Sequence, residues 1–394
     1  MHSPVPTRHD PWVVPTVPVA DVLAAPDARV VDLRSPSEFA ADHLPGARNV
    51  PLFDDAERAL IGTLYKRRSP EEAFDEGRRL VLDSIAPMVE ELARVAGRPS
   101  PREDLGQLVA ELTAGGIEEV HRALTTRPAA LPPANALFVH CWRGGLRSGS
   151  LVTLLRQLGW EEVVSIEGGY KSYRKHLLAE LDAWQAPPAF VLRGGTGVGK
   201  TLVLRELERQ RPGWTLDLEG LAGHRSSILG MVGLEPCTQK TFDSLLGARL
   251  REGFPGPAVI EGESRKVGDT ILPSRVWEAL QGGTHLLLEA PVERRVEVLI
   301  EDYLATEESR AQLRAQLPFI ENRLGEKKWA GRLVELLDGG REAELTELLL
   351  ERYYDPLYAH SEKGRTYAAR FDTTDVAACA ARIAAWVEAR PQAG

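Results

Sequence analysis

The stretch VHCWRGGLRS, residues 139–148, decides the fold of the first half of the chain. A short apolar strand leads into Cys141, a loop containing Arg143 and Arg147 follows, and residues 151–158 carry a helical pattern. The backbone N–H groups of such a loop, and of the helix start after it, bind anions. The same positive field lowers the pKa of a thiol. We therefore predict that Cys141 is a thiolate in an oxyanion-binding loop, in preference to a buried structural cysteine.

The composition is that of a globular chain too long for one ordinary core. It has 394 residues, of which 43% are hydrophobic and 27% charged, so two domains are expected. Three cysteines without paired spacing argue against a disulfide framework and favour a reducing cytoplasm. Membrane-spanning runs, signal-peptide features and zinc-ligand spacings are absent from the sequence. The net charge of -9 predicts that any RNA is held by a local basic patch.

Strand and helix patterns alternate along both halves of the chain, which indicates an α/β fold of parallel sheets with helices on their faces. We predict a poorly ordered, proline-rich head at residues 1–16 and a first domain at 17–184. A second domain, opened by a Pro-Pro linker, is predicted at 185–394. Residues 57–125 are predicted to be mostly helical, and 125–135, with three prolines, to be an irregular connector.

The second domain opens with its own anion-binding loop. A strand pattern at residues 190–193 precedes GGTGVGKT, which fits the P-loop pattern GxxxxGK[ST], and a helical pattern follows. Glycines let the backbone fold around phosphates, Lys200 neutralises their charge, and the Thr201 hydroxyl is suited to hold Mg²⁺. The predicted phosphate- or diphosphate-binding residues are Gly194, Gly195, Thr196, Gly197, Val198, Gly199, Lys200 and Thr201. The loop alone does not distinguish a nucleoside triphosphate from another diphosphate.

Acidic residues follow a later strand pattern of the second domain. The predicted strand at 258–261 ends at Glu261, and Glu263 lies two residues further on. Both are therefore candidates for metal-facing or catalytic carboxylates, in the place of a Walker B carboxylate. The alternative is that both are polar strand ends. Another strand is predicted at 215–219.

Two further segments are candidates for phosphate or RNA contacts. Arg294 comes after a predicted strand at 285–291, in a segment that resembles the phosphate-touching arginine segment of P-loop kinases. Lys327 and Lys328 belong to a basic cluster at 323–332 that contains a tryptophan, a mixture suited to RNA backbone contact and base stacking. The alternatives are a solvated helix start for the first segment and a solvated face for the second.

The first domain resembles a rhodanese module. The resemblance rests on VDLRS at 31–35, on HLPGARNVP at 43–51, and on the strand, loop and helix around Cys141. It implies that Cys141 carries a chalcogen or contacts a phosphate-like oxyanion. The Cys-x5-Arg spacing is one residue longer than the usual sulfurtransferase loop, and it resembles the signature of phosphatases built on the same fold. Sulfur transfer and phosphate chemistry therefore both stay open, and both favour a tetrahedral oxyanion ligand.

The order of the two modules, and several longer strings, resemble the bacterial tRNA 2-selenouridine synthase family. The strings are HCWRGGLRS at 140–148, GTGVGKT at 195–201, DLEGLAGHRSS at 217–227, IEGESRKVG at 260–268, LIEDY at 299–303 and YYDPLY at 353–358. The resemblance extends from about residue 17 to about residue 365. Within these strings Arg225, Arg265 and Lys266 are further candidates for anion or tRNA contacts.

The resemblance implies a transferase that replaces sulfur by selenium in wobble-position 2-thiouridine of tRNA. The implied scheme transfers geranyl from geranyl diphosphate to the thiocarbonyl sulfur, then displaces the S-geranyl group using selenophosphate. It implies that the P-loop holds the diphosphate, ideally with Mg²⁺. Cys141, with Arg143 and Arg147 binding the oxyanion, is expected to attack selenium or hold it as a perselenide. The implied partners are tRNA, the two small molecules and an enzyme that produces selenophosphate, without a membrane.

Two other interpretations explain the same motifs. A cysteine phosphatase or rhodanese-type sulfurtransferase fused to an ATP-dependent kinase accounts for both anion loops without RNA. A nucleotide-sensing adaptor with a degenerate rhodanese module is a third interpretation, against which the intact Cys141, Lys200 and Thr201 count. The kinase and adaptor interpretations both predict a protein that carries no nucleic acid.

Overall fold

The computed structural model describes residues 12–25, 27–129 and 135–390, without the side chains of Glu326 and Ser361. The chain forms two compact units that divide between Ala179 and Glu180, whereas the sequence predicted a boundary after residue 184. Residues 1–11 of the predicted head lie outside the described residues. None of the helices in the described ranges combines the length and apolarity that a membrane crossing needs.

The first unit is a parallel sheet flanked by helices. In chain order its elements are β1 (Val13–Val17), α1 (Val19–Ala24), β2 (Arg29–Asp32), α2 (Pro36–Ala41), β3 (Arg48–Asn49), α3 (Asp55–Arg67), α4 (Pro70–Ala96), α5 (Leu105–Leu112), α6 (Gly116–Ala123), β4 (Thr125–Pro128), β5 (Leu137–His140), α7 (Leu146–Gln157), β6 (Val163–Ile166) and α8 (Gly169–Ala183), whose last residues pass the division. The strand order is β3-β2-β5-β6-β1-β4, with parallel pairing throughout. The predicted parallel sheet is confirmed.

The centre of this sheet is apolar on both faces. Every residue of β5 and β6 is buried, which is why both read as continuous apolar runs in the sequence. Leu92 of α4 and Leu155 of α7 pack into one apolar cluster with Val139. The strands β2 and β5 are paired so that Asp32 stands opposite His140. Cys141, the next residue, therefore leaves the sheet at the carboxyl ends of its parallel strands, where ligands of open α/β sheets bind.

Two segments that were expected to be irregular are strands. Val13–Val17 overlaps the predicted head, yet as β1 it pairs with β4 and β6, so the prediction of disorder is wrong for residues 13–16. Thr125–Pro128 forms β4 at the edge of the sheet, so the predicted irregular connector is wrong there too. The four residues of β4 are exposed and the strand ends in proline, so they lack the apolar alternation from which a strand is read. Residues 130–134 of that connector lie outside the described residues.

The second unit has a five-stranded parallel sheet and a largely helical C-terminal part. Its elements are β7 (Ala189–Arg193), α9 (Lys200–Gln210), β8 (Thr215–Leu216), α10 (Leu218–Ala222), α11 (Gln239–Arg251), β9 (Ala258–Glu261), β10 (Lys266–Val267), β11 (Thr270–Ile271), α12 (Ser274–Gly282), β12 (Thr284–Glu289), α13 (Val292–Tyr303), α14 (Glu307–Trp329), α15 (Arg332–Asp338), α16 (Glu342–Leu349), a π-helical turn (Leu350–Tyr354), α17 (Asp355–Ser361), β13 (Ala369–Asp372) and α18 (Val376–Glu388). The strand order in the sheet is β13-β12-β7-β9-β8, and β10 and β11 form a separate antiparallel pair.

The P-loop leaves the central strand of this sheet. Leu192 of β7, Leu204 of α9 and Ile383 of α18 belong to one buried apolar cluster, which fixes the helix after the loop against the sheet. The strand, loop and helix context predicted for GGTGVGKT is confirmed. The predicted strand at 215–219 is shorter in the structure, because the Asp217 side chain accepts a hydrogen bond from the Gly220 N–H (2.6 Å) and caps α10. Residue 219 consequently lies in a helical first turn.

Candidate functional sites

The predicted arch forms around the thiol of Cys141, directly after β5. The hydroxyl oxygen of Ser148 lies 3.4 Å from the Cys141 sulfur and 3.3 Å from the Gly145 carbonyl oxygen. The backbone N–H groups of Arg143 and Ser148 are hydrogen-bond donors to the sulfur. Cys141 is 3% exposed, so these donors reach the sulfur largely without competition from water. The loop therefore presents donors to a negative group at this position.

The environment of Cys141 favours its thiolate. Burial raises the pKa of the thiol, but the charge of Arg147, the Ser148 hydroxyl and the two backbone N–H groups outweigh it, so the pKa lies below its ordinary value. The pKa values of Cys237 and Cys379 are both raised, chiefly by burial, that of Cys379 to about 11. Of the three cysteines, Cys141 alone has a lowered pKa.

The two arginines of the arch contribute in different ways. The Arg143 side chain is exposed, and the residue reaches the sulfur through its backbone. The Arg147 side chain is 23% exposed, and a terminal guanidinium nitrogen lies 3.9 Å from a carboxylate oxygen of Glu38. Glu38 also completes the capping box of α2. Arg147 is therefore held beside the thiol while part of its guanidinium stays accessible.

Backbone packing between the arch and α8 fixes the shape of the loop. The Tyr170 N–H donates to the Cys141 carbonyl at 2.9 Å. Gly144 (φ +64°) and Gly169 (φ +58°) both occupy left-handed conformations that favour glycine. A β-carbon on Gly169 would meet the Cys141 carbonyl oxygen at 2.3 Å and the Gly144 nitrogen at 2.6 Å. These glycines are required by close backbone approach as well as by conformation.

A buried polar network lies on the other side of Tyr170. Arg34 and Asp32 form an ion pair at 2.6 Å, with side chains 1% and 0% exposed. The Arg34 guanidinium also donates to the Asp42 carbonyl (2.6 Å) and lies 3.7 Å from the centre of the Tyr170 ring. The Tyr170 hydroxyl donates to the Asp42 carboxylate at 2.6 Å. The network thereby anchors the tyrosine whose N–H holds the carbonyl of Cys141.

The P-loop has the conformation that its glycines predict. The Lys200 ammonium donates to the Gly194 carbonyl at 3.0 Å, so the lysine stretches across the loop. Gly197 (φ +79°) and Gly199 (φ +81°) take left-handed conformations. A β-carbon on Gly194 would lie 2.6 Å from the carbonyl oxygen of Leu288, so the strand β12 leaves room only for glycine. A backbone of this shape suits phosphate binding, and the phosphate- or diphosphate-binding role of residues 194–201 stays a prediction.

Arg295 contacts the P-loop. Its Nε donates to the Thr196 carbonyl (2.9 Å), and its terminal nitrogens donate to the Asp355 carboxylate at 2.5 and 3.1 Å. The neighbouring Arg294, predicted as a possible anion contact, instead pairs with Glu297 one turn along α13 at 2.9 Å. The role of Arg294 stays a prediction, and the structure brings Arg295 to the loop in its place.

Carboxyl groups gather beside Lys200. Glu261 is fully buried, and one of its oxygens accepts from the Glu219 N–H. Burial first, and then the charge of Glu219, raise the pKa of Glu261. Burial and the neighbouring Glu263, which shares a hydrogen bond with Glu219, raise the pKa of Glu219, while Lys200 opposes that rise. The predicted pair Glu261 and Glu263 is therefore part of a larger cluster that includes Glu219 and Asp217.

These residues fit a magnesium ion that takes only one or two oxygen ligands from the protein. In the described part of the chain, groups of three or more His, Cys, Asp or Glu side chains arranged to hold a metal are not found. Mg²⁺ commonly takes one or two protein oxygens and completes its shell with water and substrate phosphates. The second oxygen of Glu261 is buried without a hydrogen-bond partner among the described residues, which fits such a role. Thr201, at the start of α9, is the other candidate ligand.

The remaining predicted anion or tRNA contacts are Arg225, Arg265 and Lys266. Arg225 donates to the Val232 carbonyl at 2.8 Å, so its guanidinium is partly used within the fold. The Lys266 ammonium pairs with Asp269 at 3.1 Å and is 62% exposed. The Arg265 side chain is exposed. The positive charges of Arg225 and Lys266 both act to lower the pKa of His224, so these two side chains lie in one neighbourhood, and their role as anion or tRNA contacts stays a prediction.

The basic cluster at 323–332 is exposed at its lysines and buried at its tryptophan. Lys327 and Lys328 are exposed after a break in α14 at Gly325 (φ +112°). The Trp329 ring, 8% exposed, packs in an apolar cluster with Leu333. Base stacking on Trp329 is therefore excluded in this arrangement. For Lys327 and Lys328, contact with the RNA backbone stays a prediction.

Three residues beside the P-loop were missed by sequence reasoning. Glu219 was placed on a strand, because the capping role of Asp217 was not recognised. Arg295 is adjacent to the predicted Arg294, and the helix register that selects between them is not readable from the sequence. Asp355 lies in the quoted string YYDPLY, directly after the π-helical turn, a rare element that is frequent at functional sites.

The two units define a class of protein: a rhodanese-like module with a cysteine in an arch, followed by a P-loop module. A family model described as the rhodanese-like domain matches residues 18–82. A second, described as the tRNA 2-selenouridine synthase AAA domain, matches residues 187–390. The second match covers more than half of the chain.

Full-length relatives agree with both matches. A tRNA 2-selenouridine synthase from Chromohalobacter salexigens is 31% identical over 95% of this chain and 99% of that protein. Those from Hydrogenovibrio crunogenus (30% identical, 84% and 88% covered) and Cupriavidus pinatubonensis (30% identical, 85% and 89% covered) are also similar. The chain belongs to the tRNA 2-selenouridine synthase family.

Proposed function

We propose that this chain is a tRNA-modifying transferase that replaces sulfur by selenium in wobble 2-thiouridine. Its family membership supports the reaction class. The observation that carries the proposal is the presence of two chemically different oxyanion loops in one chain. One is the thiolate arch of Cys141, and the other is the P-loop at residues 194–201. A two-step exchange with two phosphorus-containing donors needs one loop of each kind.

The first step uses the P-loop with geranyl diphosphate. The thiocarbonyl sulfur attacks C1 of the geranyl group, the bond from carbon to diphosphate oxygen breaks, and the base loses its N3 proton. Lys200 and the backbone N–H groups of the loop neutralise the charge that develops on the departing diphosphate. Thr201 and Glu261 would hold Mg²⁺, which would supply further neutralisation of that charge. S-alkylation makes C2 of the base electrophilic and turns the sulfur into a leaving group.

The second step uses the arch with selenophosphate. Selenium attacks C2 of the base, the C2–S bond breaks, and geranyl thiol leaves with a proton. The Cys141 thiolate then attacks phosphorus, the P–Se bond breaks, and water releases phosphate from the sulfur. Attack on selenium would instead release phosphite, so attack on phosphorus is the course that balances with phosphate as product. Arg147 and the N–H of Arg143 neutralise the phosphoryl oxygens.

Mass analysis of wobble nucleosides tests both assignments. The wild-type chain should geranylate thiolated tRNA with geranyl diphosphate and then give 2-selenouridine with selenophosphate. Lys200→Ala should fail in the first step but convert tRNA that has already been geranylated. Cys141→Ser should lose the geranyl group but accumulate the Se-phosphorylated nucleoside, because the P–Se bond is not broken. The proposal is wrong if the wild-type chain gives neither product, and the division of labour is wrong if Cys141→Ser forms free 2-selenouridine as the wild-type chain does.

Two consequences follow for the surroundings of the enzyme. Selenophosphate must come from an enzyme that produces it, and we place the reaction in the cytoplasm, where a reduced Cys141 is maintained.

Replacing geranyl diphosphate by ATP in the first assay distinguishes this function from the kinase alternative. Conversion of ATP to ADP with transfer of the γ-phosphoryl group to a small molecule, in the absence of RNA, would favour the kinase.

A further inference from the structure

A second group of cations lies on the sheet of the P-loop unit, apart from Lys200. Arg193, the last residue of β7, is 5% exposed. Its Nε donates to Nδ1 of His285 on the neighbouring strand β12 at 3.3 Å. A terminal nitrogen of Arg365 lies 3.2 Å from Nε2 of the same ring. The imidazole thus stands between two guanidinium groups.

Not every hydrogen-bond donor in this group has an acceptor among the described residues. A neutral imidazole has one acceptor nitrogen, yet a guanidinium donor faces each nitrogen of His285. Burial and the charges of Arg193 and Arg365 lower the pKa of His285 to about 4, so the ring is neutral. Its N–H has a partner in the Gln281 backbone carbonyl, so the guanidinium that faces that ring nitrogen finds no acceptor there.

Two further donors in the group lack an acceptor. The second terminal nitrogen of Arg193 is buried without a hydrogen-bond partner among the described residues. The Nε of Arg365 lies 2.9 Å from a Glu362 oxygen as an ion pair, but outside hydrogen-bond geometry. Buried unpaired donors are rare in folded proteins and destabilise them. Such donors call for an acceptor that the described residues do not provide.

The nearby carboxylates do not provide enough acceptors for these donors. Glu362, 10% exposed at its side chain, lies 3.8 Å from Arg193 and accepts from the Tyr367 hydroxyl at 2.8 Å. Glu263 is the other carboxylate whose charge acts on Arg193. Glu263 is also engaged in the carboxyl cluster beside Lys200. Two guanidinium groups and a neutral imidazole thus share a single dedicated carboxylate.

We propose that Arg193, His285 and Arg365 form a binding site for a phosphate-class oxyanion, built from other residues than the P-loop cradle that follows Arg193. Three donors need acceptors. They are a terminal nitrogen of Arg193, the Nε of Arg365, and the guanidinium N–H that faces the proton-bearing ring nitrogen of His285. A phosphoryl group offers three oxygens, whereas a carboxylate offers two, and guanidinium forks match phosphate geometry. The ligand is either a phosphodiester of the RNA substrate or a free phosphate. The site is not used in the proposed reaction, so either can fail without the other.

Phosphate binding to the full chain provides the first test. Inorganic phosphate is titrated by calorimetry into the Cys141→Ser, Lys200→Ala double variant, in which the two known oxyanion loops are weakened. Binding should remain in this background, and adding Arg365→Gln should weaken it about tenfold, because one charged hydrogen-bonding partner is lost. Arg365→Lys keeps the charge without the fork and should weaken it less. Arg370→Gln is the matched control: Arg370 is 63% exposed, pairs with Glu289 at 2.8 Å, and should leave binding unchanged.

Binding of labelled tRNA to the otherwise wild-type chain identifies the source of the phosphate. If Arg365→Gln weakens tRNA binding about tenfold and Arg370→Gln does not, the ligand is an RNA phosphodiester. If Arg365→Gln abolishes phosphate binding but leaves tRNA affinity unchanged, the ligand is a free phosphate. If a folded Arg365→Gln variant changes neither, the site does not exist. Folding is checked by the unfolding midpoint of each variant, and Arg193 is left intact because it is buried in the sheet.

Discussion

Arg295 and Asp355 are joined by two hydrogen bonds, 2.5 and 3.1 Å long, beside the P-loop. Arg295 donates at the same time to the carbonyl of Thr196 within the loop. Asp355 begins α17 directly after the π-helical turn Leu350–Tyr354, so the C-terminal helices hold the phosphate cradle from outside. Arg295 is therefore a positioning residue, since it contacts a loop carbonyl and leaves the loop N–H groups to the ligand.

Replacing Arg295 by alanine should weaken diphosphate binding about tenfold, because the loss of a charged hydrogen bond lets the Thr196 peptide reorient. Asp355→Asn keeps one acceptor for Arg295 and should have a smaller effect. Calorimetric titration of diphosphate measures both. Arg294→Ala is the matched control, since Arg294 pairs with Glu297 on the same helix. Equal losses in Arg294→Ala and Arg295→Ala would contradict the bracing role.

The reactivity of Cys141 should persist to lower pH than that of an ordinary thiol. Its pKa is lowered, so the thiolate fraction falls only when the pH drops through that lowered value. Arg147→Gln removes the largest lowering cause, and the fall in alkylation rate should move to higher pH. Iodoacetamide labelling followed by peptide mass analysis separates Cys141 from Cys237 and Cys379, whose pKa values are raised.

Arg143→Gln is the control for this pH profile. Arg143 acts on the sulfur through its backbone N–H, which the substitution keeps, and its side chain is exposed. Its profile should stay close to that of the wild-type chain. A profile for Arg147→Gln that coincides with the wild type would show that the Arg147 charge does not set the thiol pKa.

The sequence predicted those features that depend on short segments. The arch of Cys141 and the P-loop each consist of one strand end, one loop and one helix start, and local spacing specifies all three. Glu219 and Arg295 depend on other information: a cap that shortens a strand, and the rotation of a helix against a loop about a hundred residues away in the chain. The exposed strand β4 is not readable from the sequence for a related reason. It forms through its pairing with β1, and its own residues show no apolar alternation.

The buried ion pair between Asp32 and Arg34 should be expensive to break. Asp32→Ala leaves the Arg34 guanidinium, 1% exposed, without its main partner, and should reduce the free energy of unfolding by about 3–5 kcal/mol. Urea unfolding at constant slope measures the loss. Removing both charges, in Asp32→Leu with Arg34→Met, should recover much of it. Glu76→Ala, which breaks an exposed pair on α4, should leave the midpoint unchanged. A similar midpoint for Asp32→Ala and the wild type would contradict this account.

Gly169→Ala should disable the arch while sparing the P-loop step. Gly169 combines a left-handed φ of +58° with a β-carbon position 2.3 Å from the Cys141 carbonyl oxygen, so alanine must push the arch away from α8. Gly159→Ala isolates the conformational part, because Gly159 has φ +79° and nothing within 4 Å of its β-carbon position. Both substitutions pay about 1–2 kcal/mol for the left-handed backbone, but only Gly169→Ala should lower alkylation of Cys141 and formation of 2-selenouridine from geranylated tRNA. Geranylation should be unaffected in both variants. Equal selenation by the two variants would show that close packing between the arch and α8 is not needed for the second step.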